Sequence, residues 1–526
     1  SGLHQIAYCG FVGFRFAGWR YRRRIHADYH TDGITITGCD FEGVRNGVQT
    51  LRQLIRQNGA VLPELQIADA PACQIRGYYL DATRGRVPTL AWLKQWADKL
   101  CLYKYNQLQL YIEHTFAFDG MSETWRGSSP LTPADTLEFD QYCANLGIEL
   151  VPSVSTFGHQ YVAMRTQELR ELGEFPEDAD RPFSLHRTHE APHTQRRRRS
   201  SLRVLHATGR LVSATFPFEA IQHLRRRNLR PRQRQVEAGS ATRGRRSAVR
   251  NIRGQTLRTP VPARPRTHVL GRHRHRNAGN PRNPAEQCHP AELAVRTGSD
   301  RRKNPTRGAS RSQTNRMPGR MGGGMRLLPR IDDAWNNIAR IARYGLDCGA
   351  EGMLVTDWGD FGHVNDPRMA VPGMIFGAQY AWNPAGDTAE NDLLERISRV
   401  EYGDCSARFV ALLRNASAQA VFTWRELVEY LELDDGTGNC NTDVAQTIPC
   451  LADRLVDHLS DCGNAMTVRE ARNRMMRNMA TTIERIPQAN RALQQCMVDI
   501  APIAAHMGNP GITAAVRIAM GRGSCC

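Results

Sequence analysis

The sequence predicts an α/β fold with a parallel sheet covered by helices, and two features indicate it. The first is an alternation of strand and helix patterns in the first third of the chain. Strands are expected at Arg76–Asp81, 107–116 and 148–159, with helices after Pro88 and over Pro133–Leu146. The second is that polar side chains stand where these strands end. Folds whose chemistry lies beyond the carboxyl ends of parallel strands show both features.

Before these strands, residues 1–70 are predicted to form a small α+β domain. The stretch GITITG at 33–38 alternates apolar and polar residues, as a half-buried strand does. A helix is expected to follow and to end at Gly59, because apolar residues recur at helical spacing. Those residues are Val44, Val48, Leu51 and Ile55. The sequence starts without a methionine or a signal-peptide pattern, so we expect a truncated domain and favour a cytoplasmic location.

The same strand and helix patterns return near the end of the sheet region. A helix is expected around Trp335–Tyr344, where apolar residues recur at helical spacing. The stretch EGMLVTDWGDFGH at 351–363 is expected to form a strand that ends in the polar group Asp357, Trp358, Asp360 and His363. A further strand of the same parallel sheet is therefore predicted here.

Counting the strand–helix units predicts an incomplete (β/α)8 TIM barrel. Residues 71–186 hold three units and residues 327–384 hold one, whereas a closed barrel needs eight. The intervening segment 187–326 has about the length of the four units that are lacking. We therefore predict a barrel whose middle strands are missing, preceded by the small domain and followed by a helical region at 385–526.

The positive charge of the chain belongs to the segment 187–326. The chain holds 70 Lys and Arg against 52 Asp and Glu, a formal charge of +18. The segment alone holds 34 basic and 6 acidic residues, and subtracting these leaves 36 basic and 46 acidic residues elsewhere. The remainder has the balance of an ordinary soluble enzyme. The 14 cysteines form no CxxC or zinc spacing and no apolar run could span a membrane, so no metal, organic cofactor or membrane partner is expected.

Four of the strand motifs resemble those of glycoside hydrolase family 20, the β-N-acetylhexosaminidases. IRGYYLDATRGRVPT resembles the first barrel strand of the family, KYNQLQLYIEHTF the second, IELVPSVSTFGH the third and GMLVTDWGDFGH the last. The resemblance implies removal of a terminal β-linked N-acetylglucosamine or N-acetylgalactosamine from an amino-sugar glycan. It also implies a substrate-assisted, retaining mechanism in which the acetamido oxygen of the substrate attacks the anomeric carbon.

The resemblance assigns substrate-binding roles to four residues. Arg76 matches a first-strand Arg that holds sugar hydroxyls, and the alternative is an ordinary ion pair within the barrel. His159 matches the His after the third strand, where a packed structural His is the alternative. Asp360 stands where the family binds sugar hydroxyls, and Trp358 is expected to wall the acetamido pocket.

Two further candidates depart from the family pattern. Glu113 and His114 end the second strand, and we expect them to contact the substrate or to support residues that do. Asp81 and Arg84 are interpreted as a structural ion pair. The mechanism also needs an adjacent Asp-Glu pair after the fourth strand, as the group that orients the acetamido group and as the general acid and base. No such dipeptide occurs between the third and last strands.

Three interpretations of the segment 187–326 remain open on composition alone. It could be a natural Arg-rich insertion that binds nucleic acid through phosphate neutralisation, with binding that falls steeply as salt rises. The segment has no Trp or Tyr to stack on bases, which argues against nucleic acid. It could be a disordered linker, but both flanking pieces would then hold only half a core. The third interpretation is translation out of frame.

An offset of one nucleotide turns parts of the segment into strand-like sequence. Under that offset, residues 221–237 can be reread as a string that begins FNICxDET and resembles the fourth-strand motif of the family. The Asp-Glu pair then arises from the codons of Arg226 and Arg227. The same offset rereads 269–280 and 314–323 as strand-like sequence. We therefore predict a frame shift near residue 187 that reverts near 326, and a chain without hexosaminidase activity.

Overall fold

The computed structural model describes most of the chain on both sides of residues 181–326 and three short stretches within them. The described residues are 6–7, 11–16, 25–30, 33–155, 159–173, 176–180, 220–225, 266–271, 316–321, 327–347, 350, 352–359, 362, 365–384, 390–434, 455–456, 466–507 and 510–525.

The amino-terminal domain is a four-stranded sheet with one helix packed on it. Its elements are β1 (Ile6–Ala7), β2 (Phe11–Phe16), β3 (Ile25–His30), β4 (Gly33–Gly38), α1 (Phe41–Asn58), β5 (Val61–Leu62) and β6 (Leu65–Asp69). The strand order is β2-β4-β3-β6, and β1 pairs separately with β5. In β4 the alternation predicted from the sequence is confirmed, because Ile34 and Ile36 are buried and pack with Leu51 of α1. The helix ends at Gly59, as predicted, where φ is 73°.

A parallel sheet of seven strands forms the centre of the molecule. Its region contains β7 (Ile75–Asp81), α2 (Leu90–Leu102), β8 (Gln107–Ile112), α3 (Ser122–Trp125), α4 (Pro133–Asn145), β9 (Glu149–Ser155), β10 (Ala220–Arg225), β11 (Arg266–Gly271), β12 (Arg316–Met321), α5 (Ile331–Asp347), β13 (Gly352–Asp357) and α6 (Val371–Trp382). The strand order is β11-β10-β9-β8-β7-β13-β12, and every pair is parallel. The described strands thus form one open parallel sheet, in which β7 to β11 follow chain order and β13 and β12 extend the sheet beyond β7.

The prediction that the middle strands are missing is wrong for three of them. Strands β10, β11 and β12 lie within the segment 187–326, and the backbone of β10 pairs with β9 through Gln222 and Ser153. Pairing uses the amide and carbonyl groups that every residue carries, so a strand can form where the side-chain pattern does not predict one. Pro318 lies in β12, an edge strand of the described sheet, where a missing amide hydrogen is tolerated. The rest of the segment lies outside the described residues.

The two faces of the sheet differ in character. The outer face packs against the helices and carries the apolar core, which includes Tyr78, Leu80, Leu108, Leu110, Met353 and Val355. The inner face carries large aromatic and polar side chains, because alternate residues of a strand point to opposite faces. On this face Tyr79, Tyr111 and Leu354 form a small cluster that Trp358 completes. The inner face and its carboxyl edge are therefore suited to bind a polar ligand.

The region after the sheet is mainly helical, as predicted. It contains α7 (Glu390–Tyr402), α8 (Phe409–Ala418), α9 (Trp424–Leu433), β14 (Leu455–Val456), β15 (Met466–Thr467), α10 (Val468–Ala504) and α11 (Pro510–Cys525). Leu413, Leu493 and Val516 belong to the same apolar core as the outer face of the sheet. Among the helices that the structure describes, none combines the length and the apolar character that crossing a membrane requires.

Candidate functional site

Four parallel strands end at one edge of the sheet, and the candidate site lies there. Strand β7 ends at Asp81, β8 at Ile112, β9 at Ser155 and β13 at Asp357. The residues that follow them are brought together, because the carboxyl ends of parallel strands meet at the same edge.

Arg84 is at the centre of this edge. Its guanidinium lies 5.1 Å from the centre of the Tyr111 ring and 4.9 Å from that of Trp358. Its Nη1 is 3.3 Å from Asp81 Oδ2 and its Nε is 3.7 Å from Glu113 Oε1. The side chain remains 17% exposed. The interpretation of Asp81 and Arg84 as an ion pair is confirmed, and the same guanidinium also faces the aromatic rings of the site.

Glu113 and His159 form a carboxylate–imidazole pair next to Arg84. Nδ1 of His159 is 3.5 Å from Glu113 Oε1, and the Tyr111 hydroxyl donates a hydrogen bond to the same oxygen. His159 adopts a left-handed backbone with φ of 58°, a conformation uncommon outside glycine. Such geometry persists where the surrounding structure fixes it. A carboxylate that faces Nδ1 fixes the orientation of the imidazole ring.

Aromatic side chains form the wall of the site. The Trp358 ring is 4.8 Å from that of Tyr79 and 5.2 Å from that of Tyr111, and the Trp358 side chain is half-buried. The Tyr79 hydroxyl and Ser153 Oγ lie 2.9 Å apart, which holds Tyr79 across the inner face. Burial raises the pKa of both tyrosines well above the ordinary value, so the hydroxyls are neutral. The wall thus offers apolar faces and hydroxyl groups together.

Arg76 is not part of this group. It lies five residues before Asp81, about 16 Å away along a strand that rises ~3.3 Å per residue. The residue is 1% exposed, and its guanidinium donates to Glu42 Oε1 at 2.8 Å, to the Lys104 carbonyl at 2.7 Å and to the Cys73 carbonyl at 3.0 Å. The structure contradicts the placement of Arg76 at a sugar site, because its donors serve the junction with the amino-terminal domain. The alternative of an ion pair is the arrangement observed.

The remaining predicted residues are placed only in part. His114 follows Glu113, and within the described residues its buried Nδ1 has no hydrogen-bond partner. Burial lowers the pKa of its imidazole, which favours the neutral ring. Asp360 and the codon positions Arg226 and Arg227 lie outside the described residues.

Tyr111 was not predicted as a candidate site residue, and Arg84 was expected only as the ion-pair partner of Asp81. The signals were present, because Arg84 follows the end of a strand by three residues and Tyr111 occupies an inward position of β8. Periodicity alone could not show that the guanidinium reaches the rings of two other strands.

Comparison with known proteins agrees with the fold and with the amino-terminal domain. The family model described as glycosyl hydrolase family 20, domain 2, matches residues 24–70, which contain β3 to β6 and α1. A β-N-acetylhexosaminidase crystal structure has a TM-score of 0.54 at 15% identity, with 75% of this chain and 91% of that chain covered. The fold of this chain is thus similar to that of a β-N-acetylhexosaminidase.

Two curated relatives match a limited part of the sequence. The chitooligosaccharidolytic β-N-acetylglucosaminidase of Bombyx mori is 28% identical over 24% of this chain and 23% of its own length. The N,N'-diacetylchitobiase of Vibrio harveyi is 27% identical over 26% of this chain and 19% of its own length. The chain spans less than a quarter of these relatives. The predicted resemblance to glycoside hydrolase family 20 is confirmed.

Proposed function

We propose that the chain derives from a glycoside hydrolase that removes terminal β-linked N-acetylhexosamine, and that it lacks the catalytic pair itself. One observation carries the proposal. The Arg84 guanidinium faces the rings of Tyr111 and Trp358 at the carboxyl edge of the sheet, beside Glu113. A planar fork of donors suits the hydroxyls of a sugar, and aromatic faces suit its C–H surface. Relatives named as a β-N-acetylglucosaminidase and a diacetylchitobiase support an amino sugar as substrate.

In this proposal each described residue has a role that its geometry permits. Arg84 binds sugar hydroxyls, the role expected of Arg76 from the sequence. Trp358 and Tyr111 wall the pocket for the acetamido group. Glu113 holds the His159 imidazole, which is then oriented to hydrogen-bond the substrate or the acid that protonates it. Asp360 is proposed to bind hydroxyls, as the resemblance implies.

The reaction requires an adjacent Asp-Glu pair after the fourth strand, and the sequence contains no such dipeptide between the third and last strands. In the substrate-assisted mechanism the acetamido oxygen bonds to the anomeric carbon while a carboxylic acid protonates the departing glycosidic oxygen. A second carboxylate orients the acetamido group and stabilises its positive charge. Water then opens the cyclic intermediate, with the first group acting as base.

The position of β10 supports a frame shift as the reason for the missing pair. This strand pairs with β9 and ends at Arg225, immediately before the codons of Arg226 and Arg227. The described strands β10, β11 and β12 overlap the three stretches that become strand-like when reread with one offset. A one-nucleotide shift would therefore replace Arg226 and Arg227 by Asp and Glu, directly after β10.

The test compares this chain with a frame-restored chain, in which the coding sequence of residues 187–326 is shifted by one nucleotide. The measurement is nitrophenol release from 4-nitrophenyl N-acetyl-β-glucosaminide. We expect turnover by the frame-restored chain and none by this chain. Stop codons in the shifted frame, or robust turnover by this chain, would refute the proposed frame shift. A folded chain that binds DNA with steep salt dependence would favour a nucleic-acid-binding segment instead.

A further inference from the structure

Asp81 ends strand β7 and accepts hydrogen bonds from two different loops. The residue is 2% exposed. Its Oδ1 accepts from the amides of Thr83 and Arg84, both at 3.2 Å, and its Oδ2 accepts from the amide of Gly359 at 2.9 Å. The Arg84 guanidinium also lies 3.3 Å from Oδ2. One buried carboxylate therefore contacts the loop after β7 and the residue that follows Trp358.

Two other contacts join the same loops. A Cβ at Gly85, where φ is +70°, would lie 2.4 Å from the carbonyl oxygen of Gly362, so the two backbones are too close for any larger residue. The guanidinium of Arg86 donates to the carbonyl of Asn365 at 3.2 Å. The loop after β7 and the described part of the loop after β13 thus pack as one unit.

Burial raises the pKa of the Asp81 carboxyl, and the Arg84 guanidinium and the three backbone amides oppose that shift because they favour the ionised form. The buried setting also excludes the water that would compete for these hydrogen bonds. The Arg84 guanidinium forms ion pairs with two carboxylates. Its nitrogens lie 3.3 Å from Asp81, which ends β7, and 3.7 Å from Glu113, which follows β8. Between them the guanidinium is held over the Tyr111 and Trp358 rings.

We propose that Asp81 is a positioning residue that fixes Arg84 and the Trp358–Gly359 backbone relative to each other. The proposal rests on the proposed function in one respect, namely that Arg84 and Trp358 contact the sugar. Asp81 itself touches no substrate in this arrangement. Its carboxylate sets the distance between the hydroxyl-binding group and the aromatic wall, and so the size of sugar that fits between them.

The test is Asp81→Asn in this chain, which keeps the shape of the side chain and removes its charge. We expect amide hydrogen exchange to accelerate about tenfold in two peptides together, one containing Thr83 and Arg84 and the other containing Gly359. Modification of Arg84 by phenylglyoxal, followed by mass spectrometry, should become several-fold faster, since a guanidinium held less firmly is easier to reach.

Asp404→Asn is the matched control. Asp404 is 3% exposed and also accepts backbone hydrogen bonds, from the amides of Ser406, Arg408 and Phe409, but it lies between α7 and α8. We expect this variant to lose thermal stability without faster exchange in either peptide. Faster exchange in both variants would mean that the Asp81 result reflects stability alone, and no change in Asp81→Asn would overturn the proposal.

Titration with N-acetylglucosamine, followed by tryptophan fluorescence, separates this proposal from the function on which it rests. Binding by the parent chain and about tenfold weaker binding by Asp81→Asn would support both. Unchanged affinity in Asp81→Asn would overturn the positioning role. Absence of binding by the parent chain, with the exchange result as expected, would count against the proposed function in this chain and leave the coupling of the two loops established.

Discussion

The two ends of strand β7 carry similar groups that the structure uses in different ways. At the amino end Arg76 lies 5.3 Å from the Trp382 ring and 2.8 Å from Glu42. At the carboxyl end Arg84 lies 4.9 Å from the Trp358 ring and 3.7 Å from Glu113. Residue types alone do not separate the two sites.

The exposure of the two arginine side chains separates the two ends. The Arg76 side chain is 1% exposed and also donates to three backbone carbonyls, whereas the Arg84 side chain is 17% exposed. A guanidinium whose fork is occupied by the protein holds elements together, and a partly exposed one can meet a ligand. The amino end therefore has a structural role, and the carboxyl end is the candidate for chemistry.

The largest expected effect is at the amino end. Arg76→Ala should lower the free energy of unfolding by about 3 kcal/mol or more, because it leaves Glu42 and several buried carbonyls without their partner. Thermal and urea unfolding would measure this. Arg84→Ala should cost about 1 kcal/mol, since the three backbone amides still bind Asp81. Equal losses in the two variants would contradict the distinction between the ends.

The next largest effect is a dependence of folding stability on pH, which Asp357 contributes at the carboxyl end of β13. Burial, the main cause, and neighbouring Asp81 raise the pKa of Asp357 to about 6, against the opposing effects of Arg86 and the Tyr78 hydroxyl. Because the folded pKa lies above the unfolded value of about 3.9, the stabilisation is complete below pH ~4 and is lost as pH rises through 6.

Asp357→Asn tests that pH dependence. From pH 4 to pH 7 the parent should lose about 3 kcal/mol relative to the variant, within a factor of about two. Urea unfolding of both proteins at each pH measures the difference. A constant difference across this range would show that the carboxyl group does not titrate there.

A smaller effect is expected on substrate use by the frame-restored chain. Arg84→Ala should reduce kcat/KM for 4-nitrophenyl N-acetyl-β-glucosaminide about 30-fold, equivalent to ~2 kcal/mol, as hydrogen bonds between sugar hydroxyls and a charged donor are lost. The comparison is with Lys94→Ala, a change on α2 at a side chain that pairs with Glu138 of α4, which should leave kcat/KM unaltered. Unchanged kcat/KM in Arg84→Ala would remove Arg84 from the proposed site.

The smallest expected effect concerns Glu42 and Glu113, the glutamates that contact Arg76 and Arg84. Glu42→Gln keeps an oxygen that accepts from Arg76 and Asn106 but removes the charge, so we expect a loss of about 1 kcal/mol in unfolding free energy. Glu113→Gln should change stability less and sugar binding more. The measurements are the urea midpoint and the N-acetylglucosamine affinity of each variant. A larger stability loss in Glu113→Gln, or a larger loss of affinity in Glu42→Gln, would contradict the roles assigned to the two ends.

Much of the fold followed from local patterns, and the exceptions have physical causes. Alternation and helical spacing predicted β4, α1, β7, β8, β9, α5 and β13, all of which form. Strands β10, β11 and β12 did not follow from pattern, because their side chains carry no recognisable period and pairing depends on the backbone.

The candidate site was predicted in its location and only partly in its members. Polar residues after strand ends indicated one edge of the sheet, and Glu113, His159 and Trp358 lie together there around Tyr111. The predicted ion pair of Arg84 with Asp81 forms, whereas Arg76, expected to bind sugar hydroxyls, is buried against Glu42. A motif names a residue type, whereas the use of its donors depends on partners elsewhere in the chain.

The sequence by itself determined the α/β class, the resemblance to glycoside hydrolase family 20, the edge where polar residues gather, and the absence of an Asp-Glu dipeptide after the third strand. Only the tertiary structure decided which arginine is fully buried and which remains partly exposed. Glu42 is 34 residues from Arg76, and the Trp358 ring meets Arg84 across two strands that are adjacent in the sheet but distant in sequence. Burial and hydrogen-bond saturation are set by such distant contacts, so no local pattern contains them.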